Sequence, residues 1–150
     1  MQRITERIVK KNILVPLDVN STQEHQKIIA TLLDDYSSSE VCLHLVSVLP
    51  FDEGLGVLSQ FIPAGFEEGE KRSAKTKLEK IAEQLSTGFS QFQYHLPSGN
   101  VYVEILALSE RLNVDLIVLG SHKPELKDYL LGPSAARVMR HAKCSVLIVR

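Results

Sequence analysis

Short apolar runs alternate along this chain with longer stretches in which apolar residues recur at helical spacing. The apolar runs cover residues 12–17, 41–49, 114–119 and 145–149. Each run is short and contains β-branched residues, which predicts a strand. A weaker alternation over residues 90–96 predicts one further strand. The pattern therefore predicts five strands in all.

The stretches between these strands have the periodicity of amphipathic helices. Ser21 is followed three residues later by Glu24, which predicts a capping box at the start of the first helix. Two later stripes step at i, i+4, i+7 and i+11, the spacing of a helix with one apolar face. The stripes are Ala74, Leu78, Ile81 and Leu85, and then Val101, Ile105, Leu108 and Leu112. A short last helix is expected over residues 134–142.

The alternation of strands and helices predicts the fold class. Strands that alternate with helices are typical of a parallel sheet that is covered on both faces and built with right-handed crossovers. We therefore expect a single α/β domain. Its core would be a doubly wound, five-stranded parallel sheet of order 3-2-1-4-5 with helices on both faces. Residues 51–66 and 121–132 are expected to be irregular. The first segment carries apolar residues that favour partial burial against the domain, and a lid over the crevice or part of a dimer surface are the alternatives.

The predicted topology also indicates where a ligand would bind. In an open parallel sheet, ligands bind beyond the carboxyl ends of the strands where the strand order reverses, here between the first and fourth strands. Asp18 closes the first strand, and Gly120 closes the fourth. The Asp18 carboxylate could accept hydrogen bonds from a ribose or an adenine amine, or it could simply start a turn. Gly120 would let a ligand approach the backbone, and Gly132 precedes a helix whose free N–H groups attract anions.

Composition and charge narrow the class of protein. The 150 residues are 44% hydrophobic and 23% charged, as in a single globular domain. With 17 Lys and Arg residues against 18 Asp and Glu residues, the chain lacks the basic excess of a nucleic-acid-binding protein. No apolar run approaches the ~18 residues of a membrane span. Cys42 and Cys144 lie far apart, which is typical of a reduced, cytoplasmic protein. Residues 1–11 are expected to be an N-terminal extension.

Motifs for common catalytic and nucleotide sites are missing from the sequence. Neither G-x4-G-K-[ST] nor G-x-G-x-x-G occurs, which argues against a Walker A loop and a dinucleotide site. His122 and His141 have no acid–histidine–nucleophile spacing, and His141 is expected to be a cation at a helix C-terminus. No catalytic residue and no metal ligand is predicted. Any ATP hydrolysis or self-modification would be slow.

Two segments of the chain resemble the universal stress protein family. They are N-I-L-V-P-L-D at residues 12–18 and the whole of residues 111–150. The most specific pieces are Leu130-Leu131-Gly132, Arg140-His141-Ala142 and S-V-L-I-V-R at residues 145–150. The loop that starts Gly120-Ser121-His122-Lys123-Pro124 is most similar to the F/G-type subgroup of that family. The resemblance implies that residues 12–150 form one nucleotide-binding domain.

The resemblance also implies a ligand and a set of binding residues. Nucleotide-binding members use the motif G-x2-G-x9-G-[S/T], so the implied cofactor is ATP, or AMP or ADP, with Mg²⁺ if a triphosphate binds. The implied binding residues are Pro16, Leu17, Asp18, Val48, Gly99, Leu119, Gly120, His122, Lys123, Gly132, Pro133, Ser134 and Ala135. This chain departs from the motif at Lys123, which replaces a glycine, and at Pro133, which has no N–H to donate. A hydrogen bond to a charged group is worth ~1.5–3 kcal/mol, so the proline could weaken phosphate binding.

The sequence leaves more than one function open. The favoured expectation is a stress-response regulatory protein that binds an adenine nucleotide in the crevice between the first and fourth strands. The alternative is an interaction protein of the same fold that has lost nucleotide binding, and a weak ATPase or phosphotransfer enzyme is a third. The resemblance implies a homodimer through residues 145–149, and an apolar edge strand does need covering. Neither nucleic acid nor a membrane is an expected partner.

Overall fold

The chain alternates strictly between strands and helices. A computed structural model describes residues 11–49, 61–121 and 131–150. The elements are β1 (Lys11–Pro16), α1 (Thr22–Tyr36), β2 (Val41–Val46), α2 (Phe66–Leu85), β3 (Gln91–His95), α3 (Val101–Arg111), β4 (Leu116–Gly120), α4 (Pro133–His141) and β5 (Ser145–Val149). The predicted order of elements is confirmed. Most of the predicted extension 1–11, most of segment 51–66 and residues 122–130 lie outside the described residues, so predictions about them stay predictions.

The strands form one sheet whose order is β3-β2-β1-β4-β5. Every neighbouring pair is parallel. The predicted doubly wound α/β sheet is therefore confirmed. β1 is the central strand, and the chain passes from it first toward β3 and later toward β5. The carboxyl ends of β1 and β4 thus flank the point at which the strand order reverses.

The core lies in two layers, one on each face of the sheet. Alternate residues of β1 point to opposite faces, as strand geometry requires. Ile13 and Val15 pack with α1 and α2, whereas Leu14 packs with α3 and α4. All four residues of the predicted α2 stripe are buried. Fully burying a leucine or isoleucine side chain stabilises the fold by about 1.5–3 kcal/mol, so these two layers hold the helices on the sheet.

Two predicted strands extend two or three residues past one end of the corresponding strand in the structure. β2 ends at Val46, three residues before the predicted end, and Leu49 forms only an isolated bridge with Ser98. β4 begins at Leu116, because the N–H of Val114 donates to the carbonyl of Ser109 in the preceding turn. Both Leu49 and Val114 are buried. The predicted strands are too long because apolar connecting residues are buried without pairing in the sheet.

The predicted capping box at α1 is wrong. Ser21 is the N-cap residue, but its side chain makes no capping hydrogen bond. Its backbone N–H donates to the carbonyl of Asp18 at 3.0 Å, which closes a turn after β1. α4 begins at Pro133, one residue earlier than predicted. Proline suits this first helical position because its fixed φ is already helical.

Candidate functional site

An open cavity of about 1110 Å³ lies at the carboxyl ends of the strands. Its walls are the ends of β1, β2 and β4, the segment after β2, the first turn of α1, the first three turns of α2 and the N-terminal halves of α3 and α4. This is the position at which doubly wound sheets bind ligands. Small-molecule sites commonly enclose about 300–1,000 Å³, so the cavity has room for a nucleotide.

Most of the residues predicted for the site line this one cavity. They are Pro16, Leu17, Asp18, Val48, Leu119, Gly120, Gly132, Pro133, Ser134 and Ala135. Residues separated by more than 100 positions in sequence thus meet at one edge of the sheet. His122 and Lys123 lie outside the described residues.

Gly99 is not among the lining residues, and it has a local structural role. Its φ of +141° is a backbone conformation that L side chains rarely adopt. The N–H of Gly99 donates to the carbonyl of Leu49 at 2.9 Å, which ties the end of β3 to the segment after β2. A side chain at this position would also meet the carboxylate of Glu104. Turn geometry therefore accounts for this glycine.

Asp18 stands in a tight turn at the mouth of the cavity. Its Oδ1 accepts a hydrogen bond from the N–H of Asn20 at 3.0 Å. Its carbonyl contacts Nε2 of His25, a buried side chain. The turn interpretation of Asp18 is therefore confirmed. A carboxylate can accept about four hydrogen bonds, so the turn does not exhaust its capacity to bind a ligand.

The N-terminus of α4 faces the cavity and has no side-chain cap. The N–H of Gly132 donates to the carbonyl of Ser121 at 3.2 Å, which anchors the start of the helix to the end of β4. Pro133 has no N–H, so the first-turn donors are those of Ser134 and Ala135. No acidic residue occupies this first turn. The helix end therefore offers N–H groups and a partial positive charge to an anion.

One wall of the cavity comes from α2 and was missed in the sequence. Phe66, Glu70, Ser73 and Lys77 line the cavity from this helix. They share the i, i+4, i+7, i+11 spacing of the buried stripe of α2 and form a neighbouring face of the same helix, which is mostly polar. Nζ of Lys77 donates to Oδ1 of Asn20 at 3.1 Å, so this face of α2 is linked to the turn after β1.

The space beside Gly120 is filled by another side chain. A Cβ built on Gly120 would overlap the carboxylate of Glu24, so the two groups cannot share this place. Glu24 belongs to the first turn of α1 and reaches across to the end of β4. The sequence predicted that a ligand would approach the backbone at Gly120. In the structure, the close approach is made by Glu24.

Carboxylates outnumber cationic side chains among the lining residues that the structure describes. Asp18, Glu24 and Glu70 face one lysine, Lys77. Across the described ranges, no group of three or more His, Cys, Asp or Glu side chains could hold a metal ion. In those same ranges, no helix is long and apolar enough to cross a membrane.

The chain is similar to known proteins over nearly its whole length. The sequence model of the universal stress protein family matches residues 10–150. Universal stress protein G of Escherichia coli O157:H7 is 31% identical over 142 residues, which cover 93% of this chain and 99% of that protein. The solved structure of the hypothetical protein MJ0577 is 25% identical with a TM-score of 0.76, covering 94% of this chain and 96% of that one.

Two further solved structures of this fold are nucleotide complexes. A universal stress protein in complex with cAMP has a TM-score of 0.66 at 17% identity, covering 95% of this chain and 98% of that one. The universal stress protein from Archaeoglobus fulgidus in complex with dAMP has a TM-score of 0.65 at 15% identity, covering 95% of this chain and 99% of that one. At these identities the likeness shows a shared fold.

Proposed function

This chain belongs to the universal stress protein family, and we propose that it is a stress-response regulatory protein that binds an adenine nucleotide in the crevice between β1 and β4. One observation carries the proposal: the ends of β1 and β4 and the uncapped N-terminus of α4 line the same cavity of about 1110 Å³. Proteins of the same fold hold cAMP and dAMP. The candidate ligands are ATP, ADP and AMP, with Mg²⁺ accompanying a triphosphate.

The lining residues divide into groups suited to the parts of a nucleotide. Asp18 can accept hydrogen bonds from ribose hydroxyls or the adenine amine. Apolar side chains of Pro16, Leu17 and Val48 offer surface for the base. The N–H groups of Ser134 and Ala135 can donate to a phosphate, and charge-assisted hydrogen bonds of this kind are the strong ones. His122 and Lys123 remain part of the proposal as binding residues.

We assign the protein a regulatory role and no catalytic residue. Slow hydrolysis or self-modification is the most activity that we expect. A cytoplasmic location is part of the same proposal, and the free thiols of Cys42 and Cys144 support it.

Gently purified protein provides the first test of nucleotide binding. The protein is denatured, and the small molecules that it releases are identified by mass spectrometry, with thermal shifts measured in AMP and in ATP with Mg²⁺. Asp18→Ala and Gly132→Val should each remove the shift. A side chain at Gly132 meets nothing within 4 Å, so this substitution fills space that a ligand needs rather than space that the fold needs.

Asp35→Ala is the matched control, because it removes an exposed carboxylate at the far end of α1. If neither a released nucleotide nor a thermal shift is found, the proposal is wrong. If a shift persists in both site variants, the nucleotide binds elsewhere on the protein.

The second candidate function is a homodimeric interaction protein of the same fold. It is favoured by β5, an edge strand whose apolar residues at 146–149 are only partly buried. The carbonyl of Val149 accepts a hydrogen bond from Ser121, so Val149 presents its backbone groups toward β4. Backbone groups alternate along a strand, so those of Val146 and Ile148 point to the open edge. A second copy could pair there.

The oligomeric state of the Ile148→Pro variant, measured by light scattering, tests this interface. Proline removes an outward N–H without removing a hydrogen bond to β4, and edge strands tolerate it. We expect the wild-type protein and the Ile148→Val control to be dimers and the proline variant to be a folded monomer. A monomeric wild-type protein would refute pairing through residues 145–149.

A further inference from the structure

The turn that carries Asp18 is held by a buried histidine of α1. His25 is only 6% exposed, and its Nε2 contacts the backbone carbonyl of Asp18. A carbonyl oxygen can only accept, so Nε2 carries a proton and donates it to this bond. A buried donor without a partner is costly, so the burial of the ring ties it to this carbonyl.

The backbone of Asp18 is fixed on both sides. Its carbonyl accepts a second hydrogen bond, from the N–H of Ser21 at 3.0 Å. A carbonyl oxygen has two lone pairs, so His25 and Ser21 together use its whole capacity. On the other side, the N–H of Leu17 donates to the carbonyl of Val46 at 2.8 Å and continues the pairing of β1 with β2. The peptide groups before and after Asp18 are therefore both anchored.

The carboxylate of Asp18 takes its direction from this backbone. The residue is exposed and lines the crevice. Its Oδ1 accepts from the N–H of Asn20 at 3.0 Å, whereas Oδ2 has no hydrogen-bond partner in the part of the chain that the structure describes. Ordering an exposed side chain when a ligand binds costs conformational entropy. A turn that is fixed before the ligand arrives lowers this cost and so improves the affinity.

A second helix contacts the same turn less firmly. Nζ of Lys77 in α2 donates to Oδ1 of Asn20 at 3.1 Å. Lys77 is exposed, so water competes for this contact, whereas the contact of the buried His25 is shielded from solvent. His25 therefore contributes more than Lys77 to the rigidity of the turn.

We propose that His25 is a positioning residue for nucleotide binding, because it fixes the turn that presents the Asp18 carboxylate to the crevice. His25 is not among the residues that line the crevice, so it acts through Asp18. This inference rests on the proposed nucleotide-binding function. It adds to that function a residue that lies outside the binding motif of the sequence.

NMR tests the contact without any ligand. We expect the neutral ring of His25 to carry its proton on Nε2, and this proton to exchange slowly with water because the ring is buried. His25→Leu removes the donor and keeps an apolar side chain. It should shift the backbone amide resonances of Asn20 and Ser21, whose N–H groups both bond to Asp18. A proton on Nδ1, or unchanged resonances of these two amides, would overturn the inference.

Calorimetric titrations with AMP and with ATP and Mg²⁺ test the effect on binding. His25→Leu should weaken the binding of the nucleotide by about five- to tenfold, as expected for the loss of one hydrogen bond. His25→Gln carries an amide N–H and should recover most of this loss. Glutamine packs in an apolar site no better than leucine does, so a role in packing alone would not produce the recovery. Melting curves verify that the variants are folded at the temperature of the titrations.

Gln26→Ala is the matched control. Gln26 is the next residue of α1, and its exposed side chain contacts Gln84 instead of the turn. We expect this variant to keep the wild-type affinity and the wild-type amide resonances of the turn. The inference is wrong if His25→Leu binds the nucleotide as tightly as the wild-type protein, or if His25→Gln or Gln26→Ala binds it as weakly as His25→Leu. If no adenine nucleotide binds to any form, the proposed function itself is overturned, and the positioning role with it, even where NMR confirms the contact.

Discussion

Nδ1 of His44 lies 3.0 Å from Nε2 of His95, and the two rings are stacked with their centroids 5.2 Å apart. The residues lie on neighbouring strands, and His44 is buried. On the other side of its ring, Nε2 of His44 lies 3.0 Å from Oδ1 of Asn12. Nδ2 of Asn12 donates to the carbonyl of Leu112 at 3.3 Å.

The contact with Asn12 fixes the direction of these hydrogen bonds when the His44 ring is neutral. The amide oxygen of Asn12 can only accept, so Nε2 of His44 donates to it. When the His44 ring is neutral, its Nδ1 carries no proton, so Nδ1 accepts and Nε2 of His95 donates to it. A directed chain of hydrogen bonds therefore crosses β3, β2 and β1 and ends at the last turn of α3. It satisfies polar groups that would otherwise be costly to bury.

The His95 ring makes stability depend on pH. The pKa of His95 is lowered from 6.5 to about 4. Burial is the largest cause, and electrostatic repulsion from His44 and then from Arg111 adds to it. Between these values the unfolded chain binds a proton that the folded protein does not, so the free energy of unfolding falls as pH falls from about 6.5 to about 4. One pKa unit corresponds to about 1.4 kcal/mol, and solvent access to this half-buried ring reduces the expected loss to about 1–2 kcal/mol.

Urea unfolding at pH 7, 5.5 and 4 measures this loss. His141→Ala, at an exposed histidine of α4, should retain it. His95→Gln should flatten the decline, and an equally steep decline in this variant would assign the effect to other groups.

Replacing His95 by phenylalanine should destabilise the protein through His44. The phenyl ring can preserve the stacking, but Nδ1 of the buried His44 then loses its donor. Leaving a buried acceptor unsatisfied costs about 1–3 kcal/mol. Chemical unfolding at pH 7 measures the loss. His95→Gln carries an amide N–H and should recover part of it, whereas equal stability of the phenylalanine variant and the wild-type protein would contradict the directed chain.

Gly120→Ala should reveal the contact with Glu24 without any ligand. The added Cβ would overlap the Glu24 carboxylate, which stands at the end of a flexible side chain and can move. We therefore expect a modest loss of about 1 kcal/mol. In a Glu24→Ala background this cost should disappear, because contacting residues have non-additive effects on stability. Gly132→Ala, where a Cβ meets nothing within 4 Å, is the control. Additive effects of the two substitutions would argue against the contact.

Pro133→Ala should strengthen nucleotide binding. The substitution restores an N–H in the first turn of α4 beside those of Ser134 and Ala135. A hydrogen bond to a charged group is worth about 1.5–3 kcal/mol, so the affinity for AMP should rise by about tenfold or more. Titration calorimetry measures the change, and Pro63→Ala, outside the lining residues, serves as a control. A weaker AMP affinity would show that the phosphate does not bind at this end of the helix.

The sequence predicted the sheet and the place of the crevice because both follow from local periodicity and chain order. Apolar alternation specifies which residues are buried, and strand order specifies that Asp18 and Gly120 lie at the same edge of the sheet. The contact between Glu24 and Gly120 joins residues 96 positions apart, and nothing in the local pattern indicates it. The pairing of His44 with His95 depends on the register of β2 against β3, in which His95 lies opposite Val46. The register of neighbouring strands and the rotation of each helix about its axis are determined by the packing of the whole domain, so the local sequence pattern does not predict them.

Ser121 connects the crevice to the edge strand β5. Its N–H donates to the carbonyl of Val149 in the edge strand β5, and its carbonyl accepts from Gly132 at the start of α4. One buried residue thus belongs both to the crevice and to the edge where a second copy could pair. Thermodynamic reciprocity then links the two: any factor by which nucleotide strengthens subunit association is the factor by which association strengthens nucleotide binding. In such a protein, nucleotide binding would change the fraction of dimer, and no domain would need to move.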